Sequence, residues 1–209
     1  MTHEWRQKHA IGGVFLYVIA TIFVVRLGFE LIPNMEVWNS LFWIIMLFAA
    51  FQTMGKTFDT DGQGKSLYLY TLVKPEVYIL GKLIYNCMMM LLVAVATYVF
   101  YVFFIGNEVL ENFDAWMFFV AILLGAIGLS VILTMIGAIS SKTNNNLGLM
   151  AILGFPVVLP FLLTLIGFSS LAVTGAGWDK ALVFVWVLLA IIMIVVSLSY
   201  ILFPYLWRD

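Results

Sequence analysis

Six long apolar runs follow one another along the chain, at about residues 10–32, 37–54, 79–104, 116–140, 147–168 and 181–202. A run of roughly 18 or more apolar residues, rising about 1.5 Å per residue, crosses the ~30 Å hydrocarbon core as a helix. Hydrocarbon offers backbone N–H and C=O groups no water, so each span must close its hydrogen bonds internally. A β-barrel would show alternating segments of about ten residues, and the sequence has none. The expected fold is all-α: a polytopic integral membrane protein with six transmembrane helices, forming a single transmembrane domain over residues 1–209.

Composition agrees with that reading. Apolar residues make up 64% and charged residues 10% of the chain, with a mean hydropathy of +1.10. Soluble domains run near 45–50% apolar and about 25% charged. The one cysteine, Cys87, lies inside an apolar run, which excludes a disulfide within the chain. A net charge of −1 gives no reason to expect a nucleic acid partner; the expected surroundings are the lipid bilayer. The polar start, with Glu4, Arg6 and Lys8, leads into a run too long for a signal-peptide core and lacking a small-x-small cleavage site. We read it as an uncleaved first helix.

Lysine and arginine set the orientation. Arg6, Lys8, Lys56, Lys65, Lys74, Lys82, Lys142 and Arg208 fall on one side of the membrane, Lys180 on the other, and Arg26 within the first run. Both termini and the long second connection are therefore expected in the cytoplasm, with the acidic Glu108–Asp114 loop outside. The chain then sits as a multi-pass protein in a bacterial inner (plasma) membrane.

The long connection, about residues 56–78, is the one sizeable polar insertion. Asp59, Asp61, Gly62 and Gly64 supply turn chemistry, and Ser66 suits a helix N-cap. Leu67, Leu69 and Leu72 with Tyr68 and Tyr70 offer contact surface, and Pro75 suits the first position of the next helix. Two readings stay open: a short helix that inserts into a soluble partner, or an interfacial helix held by its tyrosines. Gly62–Ser66 (GQGKS) imitates the end of a phosphate loop. However, Asp59 stands where the first glycine belongs, and no nucleotide-binding domain fits in so short a connection.

Other polar features carry weaker signals. Arg26 and Glu30 share a helix face at spacing i, i+4 and could pair; they either reach the interface by snorkelling or line an outward cavity. Ala126, Ser130, Thr134 and Ala138 form a small-residue stripe suited to close helix packing. Pro156 and Pro160 each remove a ladder hydrogen bond, which predicts a kink or break in the fifth span. The Ser169–Lys180 stretch reads as a connection. Most tryptophans, including Trp38, Trp43, Trp116 and Trp186, fall near span ends, as an aromatic belt would. No catalytic motif, metal-ligand pattern or mid-membrane acid–base pair is visible, so no catalytic, cofactor-binding or metal-binding residue is assigned. The chain is not read as an enzyme.

Several strings together resemble a known family: EWRQK (4–8) running into AIGGV (10–14), WIIMLFA (43–49), Phe58 with Asp61 and Ser66-Leu67, and the closing LFPYLWRD (202–209). In that order on a six-span frame they are similar to the B-type membrane subunit of the cytochrome c maturation ABC transporter, the heme exporter protein B family. The resemblance covers nearly the whole chain. It implies an ABC-2-type permease-like subunit, expected as a homodimer within the complex, and a cytoplasmic ABC ATPase that hydrolyses ATP. It also implies a tryptophan-rich heme-handling membrane subunit and a small membrane subunit as partners, with heme as cargo of the complex. ATP hydrolysis would then release a heme-loaded chaperone. The family's loop motif, F-x-x-D-x-x-D-G-S-L, is matched here at Phe58, Asp61, Ser66 and Leu67. Gly64 replaces its second aspartate and Lys65 its glycine. Relatives carry an amphipathic helix before the first span, whereas nine residues precede Ala10 here. A generic ABC-2 permease for another hydrophobic cargo and a scaffold without a transport path remain open alternatives.

Overall fold

In the computed structural model, described over residues 2–29, 34–59, 75–106, 112–140 and 146–208, six α-helices follow in chain order. They are α1 (Thr2–Gly28), α2 (Met35–Asp59), α3 (Pro75–Ile105), α4 (Ala115–Ser140), α5 (Asn146–Thr174) and α6 (Trp178–Arg208). No strand occurs among the described residues. The helices α2 to α6 each hold a stretch long and apolar enough to cross a membrane, while α1 contributes the shorter apolar stretch Gly12–Gly28. This is the all-α polytopic architecture that the apolar runs predict.

Local chemistry fixes several helix ends. The Asn34 side-chain oxygen accepts the Val37 N–H at 2.9 Å, and that of Asp114 accepts the Met117 N–H at 3.0 Å. Each satisfies an amide that the first helical turn leaves without a partner. Pro75 opens α3, as its missing N–H allows. Gly175 closes α5 with φ +67°, while the Ala176 N–H returns to the Leu171 carbonyl at 3.0 Å. That is a Schellman ending. A Cβ on Gly175 would also come within 2.5 Å of the Asn112 carbonyl oxygen.

Contacts at both ends show how the helices alternate. The start of α2 meets the end of α3 through Trp38 and Gly106. The end of α5 meets the start of α4 where the Asp114 N–H donates to the Ala172 carbonyl. At the other end, Tyr78 of α3 stacks on Phe203 of α6 at 5.8 Å. We call this the loop end, because α2 finishes and α3 begins there.

The interior helix is α4, packed against α2, α3, α5 and α6. Of its spanning stretch 67% is buried, against 22% for α6. Glycines let it sit so deeply: the Trp43 ring lies 2.6 Å from where a Cβ on Gly125 would be, and the Phe161 ring fills the place of a Cβ on Gly128. The outer faces instead show large apolar side chains, among them Leu16, Phe103, Leu163 and Trp186. Such faces suit lipid rather than water.

Four expectations change. First, α1 begins at Thr2 and ends at Gly28, whereas the apolar run suggested 10–32. Gly28 is a poor helix former, and residues 30–33, with Glu30, lie outside the described residues. Second, the stretch from Ser169 is not a connection, since α5 continues to Thr174. Its hydroxyls bond inside the bundle or to their own helix: Ser169 reaches Asn39, and Thr174 donates to the Ser170 carbonyl. Third, of the kink or break expected at Pro156 and Pro160 the break does not occur, since α5 is continuous through both, with the Thr164 hydroxyl donating to the Pro160 carbonyl at 2.9 Å. Fourth, Trp38 and Trp43 are interior residues, each 1% exposed, rather than members of a belt.

Candidate functional site in the loop-bearing helices

The two helices that border the lysine-dotted connection are α2 and α3. Phe58 and Asp59 occupy the last turn of α2, and Pro75 is the first residue of α3. Asp61, Gly64, Ser66, Leu67, Tyr68 and Tyr70 lie outside the described residues, as does Lys65. Arg26 is in the last turn of α1, exposed, and donates to the Phe29 carbonyl at 3.1 Å. The stripe of Ala126, Ser130, Thr134 and Ala138 is buried throughout. It packs inside the subunit: Thr134 bonds to α3, and Ala138 lines a small crevice among α3, α4 and α6.

Three polar joints hold these helices. At the end away from the loop, the Trp38 indole N–H donates to the Gly106 carbonyl at 2.8 Å, and the Tyr101 hydroxyl donates to the Trp38 carbonyl at 2.7 Å. This clasps α2 to α3. A second joint ties α2 to α5. The Trp43 indole N–H is shared between the Ser169 hydroxyl at 2.7 Å and the Asn39 side-chain oxygen at 3.1 Å. Ser169 in turn donates to that Asn39 oxygen at 2.9 Å, and the Asn39 amide N–H reaches the Ile166 carbonyl at 3.4 Å. In the third, the Asn86 amide of α3 donates to the Thr134 hydroxyl of α4 at 2.8 Å, and Thr134 faces the Met54 sulfur of α2 at 3.7 Å.

Asn39, Asn86, Thr134 and Ser169 are all at most 2% exposed. In hydrocarbon a polar side chain without a partner costs free energy, so such groups pair across helices and fix their rotation. The sequence held a signal for two of them: Asn39 and Asn86 are the asparagines inside apolar runs. Their partners could not be named, because pairing depends on which helices become neighbours.

The shared acceptors around Trp43 predict redundancy. Ser169→Ala or Asn39→Ala should each cost about 1 kcal/mol, since the indole N–H keeps one acceptor. The double variant strands that N–H and should lose an extra ~1 kcal/mol beyond the sum. Thermal unfolding in detergent or bilayers measures this. Strict additivity would show that the two acceptors act separately.

The family model described as CcmB protein matches residues 3–205. The chain belongs to the CcmB family. No curated protein and no solved structure matches it. Membership makes it a multi-pass membrane subunit of the heme exporter ABC transporter for cytochrome c maturation, in a complex that includes an ATPase. The CcmB match takes in part or all of every helix described above, including the whole of both helices that flank residues 60–74.

Proposed function

We propose that this subunit is the lever through which a cytoplasmic ABC ATPase works the heme-handling face of its complex. The ATPase grips residues 58–73, where Phe58, Asp61, Ser66 and Leu67 keep the family motif. ATP is hydrolysed in that partner, and heme is cargo of the complex. In this reading the chain lies in a bacterial inner membrane with both termini cytoplasmic and an ABC-2-type permease arrangement. It is paired with a second copy and sits beside a tryptophan-rich heme-handling subunit and a small membrane subunit.

One observation carries the reading. Both helices that run into the connection are joined at their far ends, through Trp38, Gly106 and Tyr101, and both meet Thr134 of the interior helix. Packed helices transmit force because close-packed interiors deform little. A push at the loop end therefore reaches the opposite face as a displacement of α2 and α3 together, and no chemistry is asked of this chain.

The test replaces Asp61 and Leu67 with alanine in the assembled complex. Coupled ATPase activity and the yield of holocytochrome c should both fall, while membrane insertion stays at the wild-type level. Normal cytochrome c maturation in both variants would refute the lever.

A further inference from the structure

We infer that the junction of α3 and α4 holds an internal water molecule, bound between the Asn86 side chain and the Ser130 hydroxyl. Both residues are 0% exposed. Their polar atoms, Asn86 Oδ1 and Ser130 Oγ, are buried without a hydrogen-bond partner among the described residues. They are close neighbours in the bundle. Asn86 Nδ2 donates to Thr134 Oγ1 at 2.8 Å, and Ser130 lies one turn before Thr134 on the same face of α4. The Cys87 thiol of α3 also comes within hydrogen-bonding reach of the same hydroxyl, but sulfur is a weak partner and leaves that oxygen's stronger bond to be made elsewhere.

Ser130 is the buried hydroxyl among the described residues that finds no oxygen or nitrogen partner. Most helical hydroxyls here settle on the carbonyl four residues back, as buried Thr53, Thr97 and Ser199 do at 2.7–2.8 Å, and the buried exceptions Thr134, Ser140 and Ser169 each find another acceptor. Thr21, Thr164 and Ser197 bond to the carbonyl four residues back in less buried places. That bond needs nothing from outside the helix, so it is the default for a hydroxyl in hydrocarbon. Ser130 does not make it. Turning the Asn86 amide over does not remove the second orphan either. It exchanges which end of the amide meets Thr134 and leaves the other end unpaired. Two orphan groups on facing helices, one an acceptor and the other both donor and acceptor, form the environment that a buried water occupies. Such waters typically make about three hydrogen bonds to otherwise unsatisfied groups. The joint of α3 with the interior helix is then wet, whereas the Trp43 joint is dry.

Asn39 supplies the internal control, because both ends of its amide are bonded within the protein. The experiment is water-edited solid-state NMR on the full chain, labelled with ¹³C,¹⁵N-asparagine and reconstituted in phospholipid bilayers. An Asn86→Leu and an Asn39→Leu sample assign the two signals by their loss. Early magnetisation transfer from water to the Asn86 side chain, and none to Asn39, is the expected result. Ser130→Ala, which removes one anchor, should abolish the early transfer to Asn86. Asn86 as silent as Asn39 in the wild-type protein overturns the site, and this comparison stands even where a variant does not fold. Unchanged transfer in a folded Ser130→Ala protein overturns the bridging geometry.

Discussion

Gly128→Leu is expected to remove the folded protein from the membrane. The Phe161 ring of α5 occupies the place where any side chain at 128 would begin, and Phe161 is itself 0% exposed. Neither group can leave, because α4 is enclosed by α2, α3, α5 and α6. Forcing extra methylenes into a packed core usually costs about 1–3 kcal/mol. A whole leucine where no Cβ fits should exceed that and consume most of a stability of roughly 5–15 kcal/mol. Gly128→Ala should show a smaller loss of the same kind. Gly81→Leu on α3 is the contrast, since a Cβ there meets nothing within 4 Å; it should be neutral or gain up to about 1 kcal/mol of helix propensity. Abundance in the membrane fraction and thermal unfolding of the purified protein separate the outcomes. Phe161→Ala in the Gly128→Leu background should recover part of the loss by vacating the space. Equal levels of the Gly128→Leu and Gly81→Leu proteins would contradict the interior position of α4.

That contrast between two glycines also marks what a sequence can and cannot disclose. The spans were legible because hydrocarbon imposes one requirement, a run of apolar residues, and the runs are plain in the chain. Pro75 as a helix start was legible for a local reason, its missing N–H. The burial of Ala126, Ser130, Thr134 and Ala138 followed from their size and their spacing. The misreadings share a different cause. Ser169 and Ser170 look like a connection when polarity is counted, yet Ser169 is an interior residue because Trp43 and Asn39 of another helix receive it. Trp43 looks like a belt residue by its distance from a span end, and lies inside for the same reason. Gly125 and Gly128 do not announce which rings will press on them. In each case the deciding partner is more than thirty residues away along the chain, and no local pattern encodes it. Of the loop residues assigned to the ATPase contact, Asp61, Ser66 and Leu67 rest on a motif and Tyr68 and Tyr70 on the contact surface they offer; all lie outside the described residues, so mutation is their test.

Trp38→Ala should destabilise the bundle almost as strongly as the Gly128 change, and from the opposite direction, by leaving a hole. Trp38 is fully buried, with its ring 5.0 Å from Tyr101, 5.4 Å from Phe118 and 6.2 Å from Phe113. Truncation of a buried tryptophan to alanine costs about 3–5 kcal/mol. Trp38→Phe divides the effect into parts. It keeps most of the aromatic contact and removes the N–H that donates to the Gly106 carbonyl, at about 1–3 kcal/mol for the acceptor left behind. Gly106 ends α3 with φ +81°, so this bond joins the first turn of α2 to the residue that closes α3. If α2 and α3 move as one lever, loosening that clasp must matter more for work at the far face than for events at the loop end. Holocytochrome c yield should then drop in Trp38→Phe while the partner ATPase keeps its loop contact and its hydrolysis rate. A Trp38→Phe complex that matches wild type in yield would mean that the two helices need no joint at their outer ends. The force would then pass through Thr134 alone, where Asn86 and Met54 meet the interior helix.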